Sequence, residues 1–301
     1  MLFTIIADAQ TITLSVLPSA DAFVVASAPT NNYGAAGASS VSGVAGTNSD
    51  GQLNGVADSL ARFPMSNLVS AVDAALGTHD WLVTRSILHL YEMGTPPHPI
   101  FSRGVGRFEI RWIRNDFWIE GTGIPSLPTT QGVSWQDLPT ILAPGLDKTL
   151  GFFTNSGTDG ELSFELTLVP SFVSDIRSGT EVGLYFTAAS PEIGFTFDAR
   201  SFVVPDDRPR LEITAAARPS ARLDAITLTN NNLVSIGFNT LSNWNHTLQA
   251  TDAANGLVSA VWSNLLSVPA QPSNGRVEYL DGLTNRQRFY RLFLTPDFPV
   301  Q

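Results

Sequence analysis

The sequence predicts an all-β protein: a jelly-roll β-sandwich followed by a small immunoglobulin- or fibronectin-like β-sandwich. Three observations carry that prediction. Charged residues make up only 15% of the 301, against roughly a quarter of an average soluble chain, whereas surface helices need a charged face. Turn formers are abundant, with 24 glycines and 19 prolines, and aromatic residues reach 10%; the former punctuate short strands and the latter fit a pleated, half-buried surface. Short runs of alternating polar and apolar residues recur along the chain, the period of a strand buried on one face.

The elements follow in order. Thr11-Ile12-Thr13-Leu14-Ser15-Val16 alternates, and Ala22-Phe23-Val24-Val25 is a second short run. Residues 26–58, rich in Gly, Ala, Ser and Asn, read as loops around one weak strand. Ser86-Ile87-Leu88-His89-Leu90-Tyr91 and Arg107-Phe108-Glu109-Ile110-Arg111-Trp112-Ile113 alternate again. Runs at 162–168, 182–186, 195–197 and 210–214 complete about nine strands. Helical pattern is confined to Asn67–Leu76 and a turn at Phe172–Ser178. The small residues and proline of 216–222 (Ala-Ala-Arg-Pro-Ser-Ala-Arg) read as a linker between a domain at 10–215 and a second at 223–301. The second domain carries six short runs, at 224–228, 233–238, 246–250, 260–262, 276–279 and 289–294.

Residues 1–9 read as the remnant of a secretory signal peptide. Met1–Ile6 is apolar and runs into Ala7-Asp8-Ala9, a cleavage-type small-x-small site, so the mature chain is expected to start at Gln10 and to be secreted or displayed at the cell surface. No later apolar run reaches the roughly 20 residues of a membrane span. The net charge of −10 and pI of about 4.7 repel phosphate backbones, which excludes nucleic acid as a partner. There is no cysteine, so disulfides, thiolate metal sites and Cys nucleophiles are excluded. The acidic residues would suit a hard cation, Ca2+, as the one expected cofactor.

At this point the residues carry a resemblance. Asp21-Ala22-Phe23-Val24, then Asn31-Asn32-Tyr33-Gly34, resembles the opening of the DNRLRE domain family. Ser59-Leu60-Ala61-Arg62-Phe63, Ser86–Tyr91, Trp118-Ile119-Glu120-Gly121-Thr122 and Gly132-Val133-Ser134-Trp135 follow in the family's order. Phe197-Asp198-Ala199-Arg200-Ser201 and Arg208-Pro209-Arg210-Leu211 match its closing block loosely, and 64–85 is an insertion. The resemblance covers about residues 17–214. It implies a jelly roll of the carbohydrate-binding and disaggregatase-related kind. Residues 222–294 resemble a short module appended to exported proteins of Verrucomicrobia-like bacteria, which implies little about activity.

Several residues are candidates for chemistry. Trp118, Glu120 and Trp135 place aromatic faces beside a carboxylate, a sugar-binding combination; the alternative is a core tryptophan with Glu120 tied to a turn. Arg62 and Arg200 read either as paired with Asp21 or Glu212, or as receptors for the carboxylates of an acidic polysaccharide. Asp21 either caps the Asn31–Gly34 turn or ligates Ca2+, and Asp206 and Asp207 are a solvated loop or a second Ca2+ site. His79, His89, His98 and His246 lack metal-ligand spacing, and no catalytic motif is present. The expected function is therefore non-catalytic: a module binding polysaccharide or cell-surface glycan, or serving in adhesion. A polysaccharide hydrolase or lyase is the rival, with Tyr33, Tyr91 or His89 as the base to test. A structural piece of an extracellular matrix or filament is the third reading.

Overall fold

The computed structural model describes residues 10–78, 81–96, 98–218, 222–229, 233–241, 244–252, 261–282 and 288–296. The expected signal-peptide remnant, His79 and residues 219–221 of the expected linker lie outside the described residues. The fold is all-β, with 49% strand and 11% helix. The chain divides into two compact units, residues 1–218 and 219–301.

Among the described residues unit 1 has eleven strands: β1 (Thr11–Val16), β2 (Ala20–Val25), β3 (Ala38–Ser42), β4 (Ala57–Pro64), β5 (Trp81–Glu92), β6 (Arg107–Ile113), β7 (Lys148–Thr154), β8 (Gly160–Glu165), β9 (Glu181–Ala188), β10 (Gly194–Asp198) and β11 (Arg210–Ala217). Its helices are α1 (Ser66–Leu76), α2 (Leu138–Ile141) and α3 (Pro170–Ser178). The hydrogen-bonded path runs β1-β11-β5-β10-β3-β4-β9-β6-β7, with β2 on β4 and β8 on β5. Two links rest on a single residue pair each, Phe197↔Glu92 and Ser42↔Ala57.

Alternation builds the core. Phe63 of β4, Phe108, Ile110 and Trp112 of β6, and Val182, Leu184 and Phe186 of β9 share one apolar cluster with Leu88 and Leu90 of β5, Phe195 and Phe197 of β10, and Leu211 and Ile213 of β11. Their neighbours in sequence point the other way. Leu60, Ile113 and Tyr185, with Ala20, Ala22 and Val24 of β2, form a second cluster on the outer face. It is roofed by Trp118, Val133, Leu138 and Ile141, all from the long β6–β7 connection, residues 114–147. The first part of that connection, 114–134, is a strap across the sheet.

Two differences from the sequence reading have physical causes. Strand β7 was not expected, because Lys148–Thr154 has no period of two. A bulge opposite Ile110/Arg111 skips Leu150 in the pairing, so Leu150 and Phe153, three apart, both face the core. Ala216 and Ala217, expected in the linker, belong to β11 and pair with Thr11 and Trp81.

Among the described residues unit 2 has six strands, five of them at runs the sequence predicts: β12 (Leu223–Thr229), β13 (Leu233–Thr240), β14 (Trp244–Thr251), β15 (Ser263–Val268), β16 (Gly275–Gly282) and β17 (Phe289–Pro296). They form two three-stranded sheets, β12-β13-β16 and β15-β14-β17. Of the run expected at 260–262, residue 260 lies outside the described residues and 261–262 are not strand; the sixth strand is β15, which starts just beyond. Val234, Ile236, Phe238 and Leu248 are the buried centre. Among the described residues no helix is long and apolar enough to cross a membrane.

Candidate functional site

The strap positions the residues singled out in the sequence. Its chain is extended at 117–120, so alternate side chains point outward and inward. Phe117 and Ile119 are 75% and 72% exposed, while Trp118 between them is 5% exposed. Glu120 points inward with Trp118 and reaches strand β2. Among the described residues that strand pairs only with β4, which leaves one edge without a partner strand. Glu120 Oε1 accepts a hydrogen bond from the Asp21 backbone N–H on that edge, at 3.0 Å. A carboxylate thus satisfies an edge donor that would otherwise be open to another chain.

Arg200, just beyond β10, completes the cluster. Its Nε and Nη2 donate to Glu120 Oε1 and Oε2 at 3.0 and 2.6 Å, a two-pronged ion pair. Its backbone N–H donates to Asp21 Oδ2 at 2.5 Å. Asp21 is 3% exposed, and burial pushes its carboxyl up to about 7, assisted by the Glu120 charge and opposed by the Arg200 backbone and guanidinium.

Asn32, expected from sequence as part of the Asn31–Gly34 turn, also ties the other end of the same cluster. Its Nδ2 donates to the carbonyls of Glu120 (2.6 Å) and Val133 (2.8 Å). Its Oδ1 accepts from the backbone N–H of Gly34 and Gly123, each at 3.1 Å. The backbones pack so closely that a Cβ on Gly34 would stand 2.0 Å from the Glu120 carbonyl oxygen. Gly121 adopts φ +81°, which disfavours any side chain. The signal for Asn32 was the glycines around it, since close backbone approach needs both a glycine and a side chain to bridge the gap.

The remaining candidates fall as follows. Trp118 offers no open ring to a sugar: it is buried, Arg62 lies over its ring at 4.9 Å, and its indole N–H meets no acceptor. Trp135 is half-buried against the same apolar cluster. It starts a 3-10 turn closed by Ser134, whose N–H and hydroxyl both donate to Asp137 Oδ2. The expected partner of Arg62, Asp21 or Glu212, is replaced by Glu181 (3.2 Å) and the Asp116 carbonyl (2.6 Å). Both Arg62 and Arg200 therefore already face carboxylates. Asp206 is exposed and Asp207 half-exposed on a 3-10 turn; among the described residues no group of three His, Asp or Glu side chains is set to hold a metal. Asp207 instead acts on Asp198, which is 1% exposed and pushed up to about 7 by burial and by the charges of Asp207 and Asp159. Of the expected bases, Tyr33 stacks on Phe23 at 4.7 Å in a separate apolar cluster. His89 lies between Glu161 (3.0 Å) and Glu212 (3.7 Å) on β5.

Beside Arg62 the strap borders a cleft of about 380 Å3 that sequence reasoning missed. Asp116, Asp175 and Glu181 line it with Arg114, Thr180 and the edge of Trp112, and Ser171 and Ser174 complete the wall. Trp112 Nε1 donates to Asp175 Oδ2 at 2.7 Å. Asp116 and Asp175 are both raised above the ordinary carboxylate range, chiefly by burial, then by a neighbouring carboxylate: Glu181 for Asp116, and Asp116 for Asp175. The cleft gathers acceptors, hydroxyls and one guanidinium around an aromatic edge. That set can bond a molecule rich in hydroxyls.

No family model matches this chain, and no curated protein matches it in sequence. Among solved structures it is similar to that of the Macrobrachium rosenbergii nodavirus, at 8% identity over 99% of this chain and 87% of that one, TM-score 0.24. It is also similar to the glycoside hydrolase domain of Endo-D from Streptococcus pneumoniae R6, at 9% identity over 95% of this chain, TM-score 0.16. The chain covers 37% of the latter's length. Likenesses this slight carry no argument about function.

Proposed function

We propose that this is a secreted, non-catalytic module of the DNRLRE type that binds polysaccharide or cell-surface glycan, with the ligand in the Asp116–Asp175–Glu181 cleft. The observation that carries the reading is the cleft itself: about 380 Å3, lined by three carboxylates, an arginine, hydroxyl groups and Trp112. The family reading is supported by convergence, because Asp21, Asn32, Glu120 and Arg200, drawn from four separate motifs of the resemblance, meet in one cluster. An acidic polysaccharide is disfavoured as ligand, since the cleft carries three carboxylates against one arginine.

The test is a glycan screen with the purified chain, with and without Ca2+, reading retention and products together. Retention without products, lost in Asp175→Asn and Ser174→Ala, is the expected result. Retention unchanged by both substitutions would remove the cleft from the reading. A second reading, a polysaccharide hydrolase, is favoured by Asp116 and Asp175 lining one cleft, both raised by burial, since glycoside hydrolysis uses two carboxyl groups that flank the scissile bond. New reducing ends, abolished in Asp116→Asn, would establish it.

A further inference from the structure

The strap is held to the sheet through Glu120, which accepts from the Asp21 backbone N–H on β2 and from the Arg200 guanidinium beyond β10, while the Asp21 carboxyl, enclosed beside them, accepts from the Arg200 backbone. The charge count is uneven, with two carboxyls facing one guanidinium. Glu120 and Arg200 neutralise each other in a two-pronged pair, so Asp21 is the odd group. It is enclosed and bonded through Oδ2 to the Arg200 backbone. Glu120 and Arg200 are the groups whose charges act on it.

We propose that Asp21 is a pH-sensitive latch, which secures residues 117–123 of the strap against β2 when protonated and loosens them when ionised. A neutral Asp21 leaves the cluster balanced. An ionised one adds an uncompensated buried charge beside Glu120, and lifting the strap returns it to water.

The sign follows from linkage. Asp21 titrates at about 7 with the strap closed and near 3.9 once solvated. Between those values the closed strap binds the extra proton, so closure weakens about tenfold per pH unit from roughly pH 4 to 7 and levels off above. Opening also disturbs the ligand cleft, because Arg62 grips the Asp116 carbonyl and lies over Trp118. Ligand retention should therefore weaken over the same interval. That last step rests on the glycan-binding reading; the latch itself does not.

Hydrogen exchange of residues 117–123 in the full chain, read by mass spectrometry from pH 5 to 7.5 and corrected for intrinsic rates, tests the latch without any ligand. Wild-type protection should fall on the order of a hundredfold across that interval. Asp21→Asn, which keeps an acceptor for the Arg200 N–H, should hold the pH 5 value throughout. Asp58 and Asp198 titrate over the same interval, at about 6 and about 7, so Asp58→Asn and Asp198→Asn should retain the wild-type slope. Flat wild-type protection overturns the proposal, and so does a slope that survives in Asp21→Asn. Should Asp21→Asn fail to fold, Glu120→Gln removes the repelling charge and should move the midpoint to lower pH; an unmoved midpoint also overturns it. Strap opening without any glycan retention would leave the latch standing and sink the binding reading alone.

Discussion

The Glu120–Arg200 cluster and the Asp116–Asp175–Glu181 cleft draw on the same strap and on the same residue types. They differ in whether the polar groups are used up. In the cluster each Glu120 oxygen, both Asn32 side-chain atoms and the Asp21 edge N–H have partners. In the cleft, by contrast, Asp116, Asp175 and Ser174 line open space. A saturated network specifies structure, whereas an unsaturated one is available to a ligand.

The sharpest way to break that contrast is to cut the saturated side. Asn32→Ala removes four hydrogen bonds and leaves buried backbone groups of the strap unpaired. It should cost roughly 3–5 kcal/mol and lower the melting temperature of unit 1 by roughly 10 °C. Denaturant unfolding checks it. A loss below about 1 kcal/mol would mean that the apolar roof, and not Asn32, fixes the strap.

The next effect is a pH dependence of stability. Asp21, Asp58 and Asp198 are all buried, with carboxyls raised to about 7, about 6 and about 7. Burial is the largest cause in each, and Asp58 also accepts a hydrogen bond from Tyr185. Because the folded values lie above the unfolded ones, the native state binds the extra protons between pH 4 and 7. Stability is then greatest at the acidic end of that interval and is lost as pH rises through 7. Asp21 alone should account for roughly 2 kcal/mol between pH 5 and 7.5. Unfolding at those two pH values measures it, and Asp21→Asn should remove about that share. Greater stability at pH 7.5 would show that these carboxyls are solvated.

The contrast also explains what could be read from sequence. Strands with a period of two were legible, Arg107–Ile113 to its boundaries, because burial on one face leaves that period in the residues. Strand β7 was not, because a bulge breaks the period. The saturated cluster left a trace for a similar reason: glycines forced by close approach, such as Gly34 and Gly121, sit at fixed offsets from Asn32 and Glu120. The cleft left none. Asp116, Asp175 and Glu181 come from the strap, α3 and β9, and nothing local in the chain relates them. Trp118 was left open between two readings because a buried and a sugar-stacking tryptophan have the same flanks, and the buried one is what the fold shows. Only the exposure of its neighbours Phe117 and Ile119 separates the two.

The unsaturated side predicts a smaller change in stability and a larger one in binding. Asp175→Asn keeps an acceptor for Trp112 and removes a repelling charge, so stability should shift by less than about 1 kcal/mol, toward stabilisation. Glycan retention should nevertheless fall at least about tenfold, the equivalent of one lost charge-assisted hydrogen bond. A comparable loss of fold and binding together would place Asp175 with the structural cluster.

The smallest effect separates two adjacent acids that look equivalent in the sequence. Asp207 acts on buried Asp198, whereas Asp206 is exposed and is not among the groups that raise it. Asp207→Asn should therefore lower the Asp198 midpoint and flatten the pH dependence of stability slightly, while Asp206→Asn should leave both within about 0.5 kcal/mol of wild type. Carboxyl titration of Asp198 by NMR distinguishes them. A Ca2+ site shared by Asp206 and Asp207 makes the opposite forecast: added Ca2+ would stabilise the wild type, and either substitution would abolish the gain. Equal effects of the two substitutions, dependent on Ca2+, would thus turn this loop from a source of repulsion into a site, because a cation between them would cancel the charge that Asp207 now directs at Asp198.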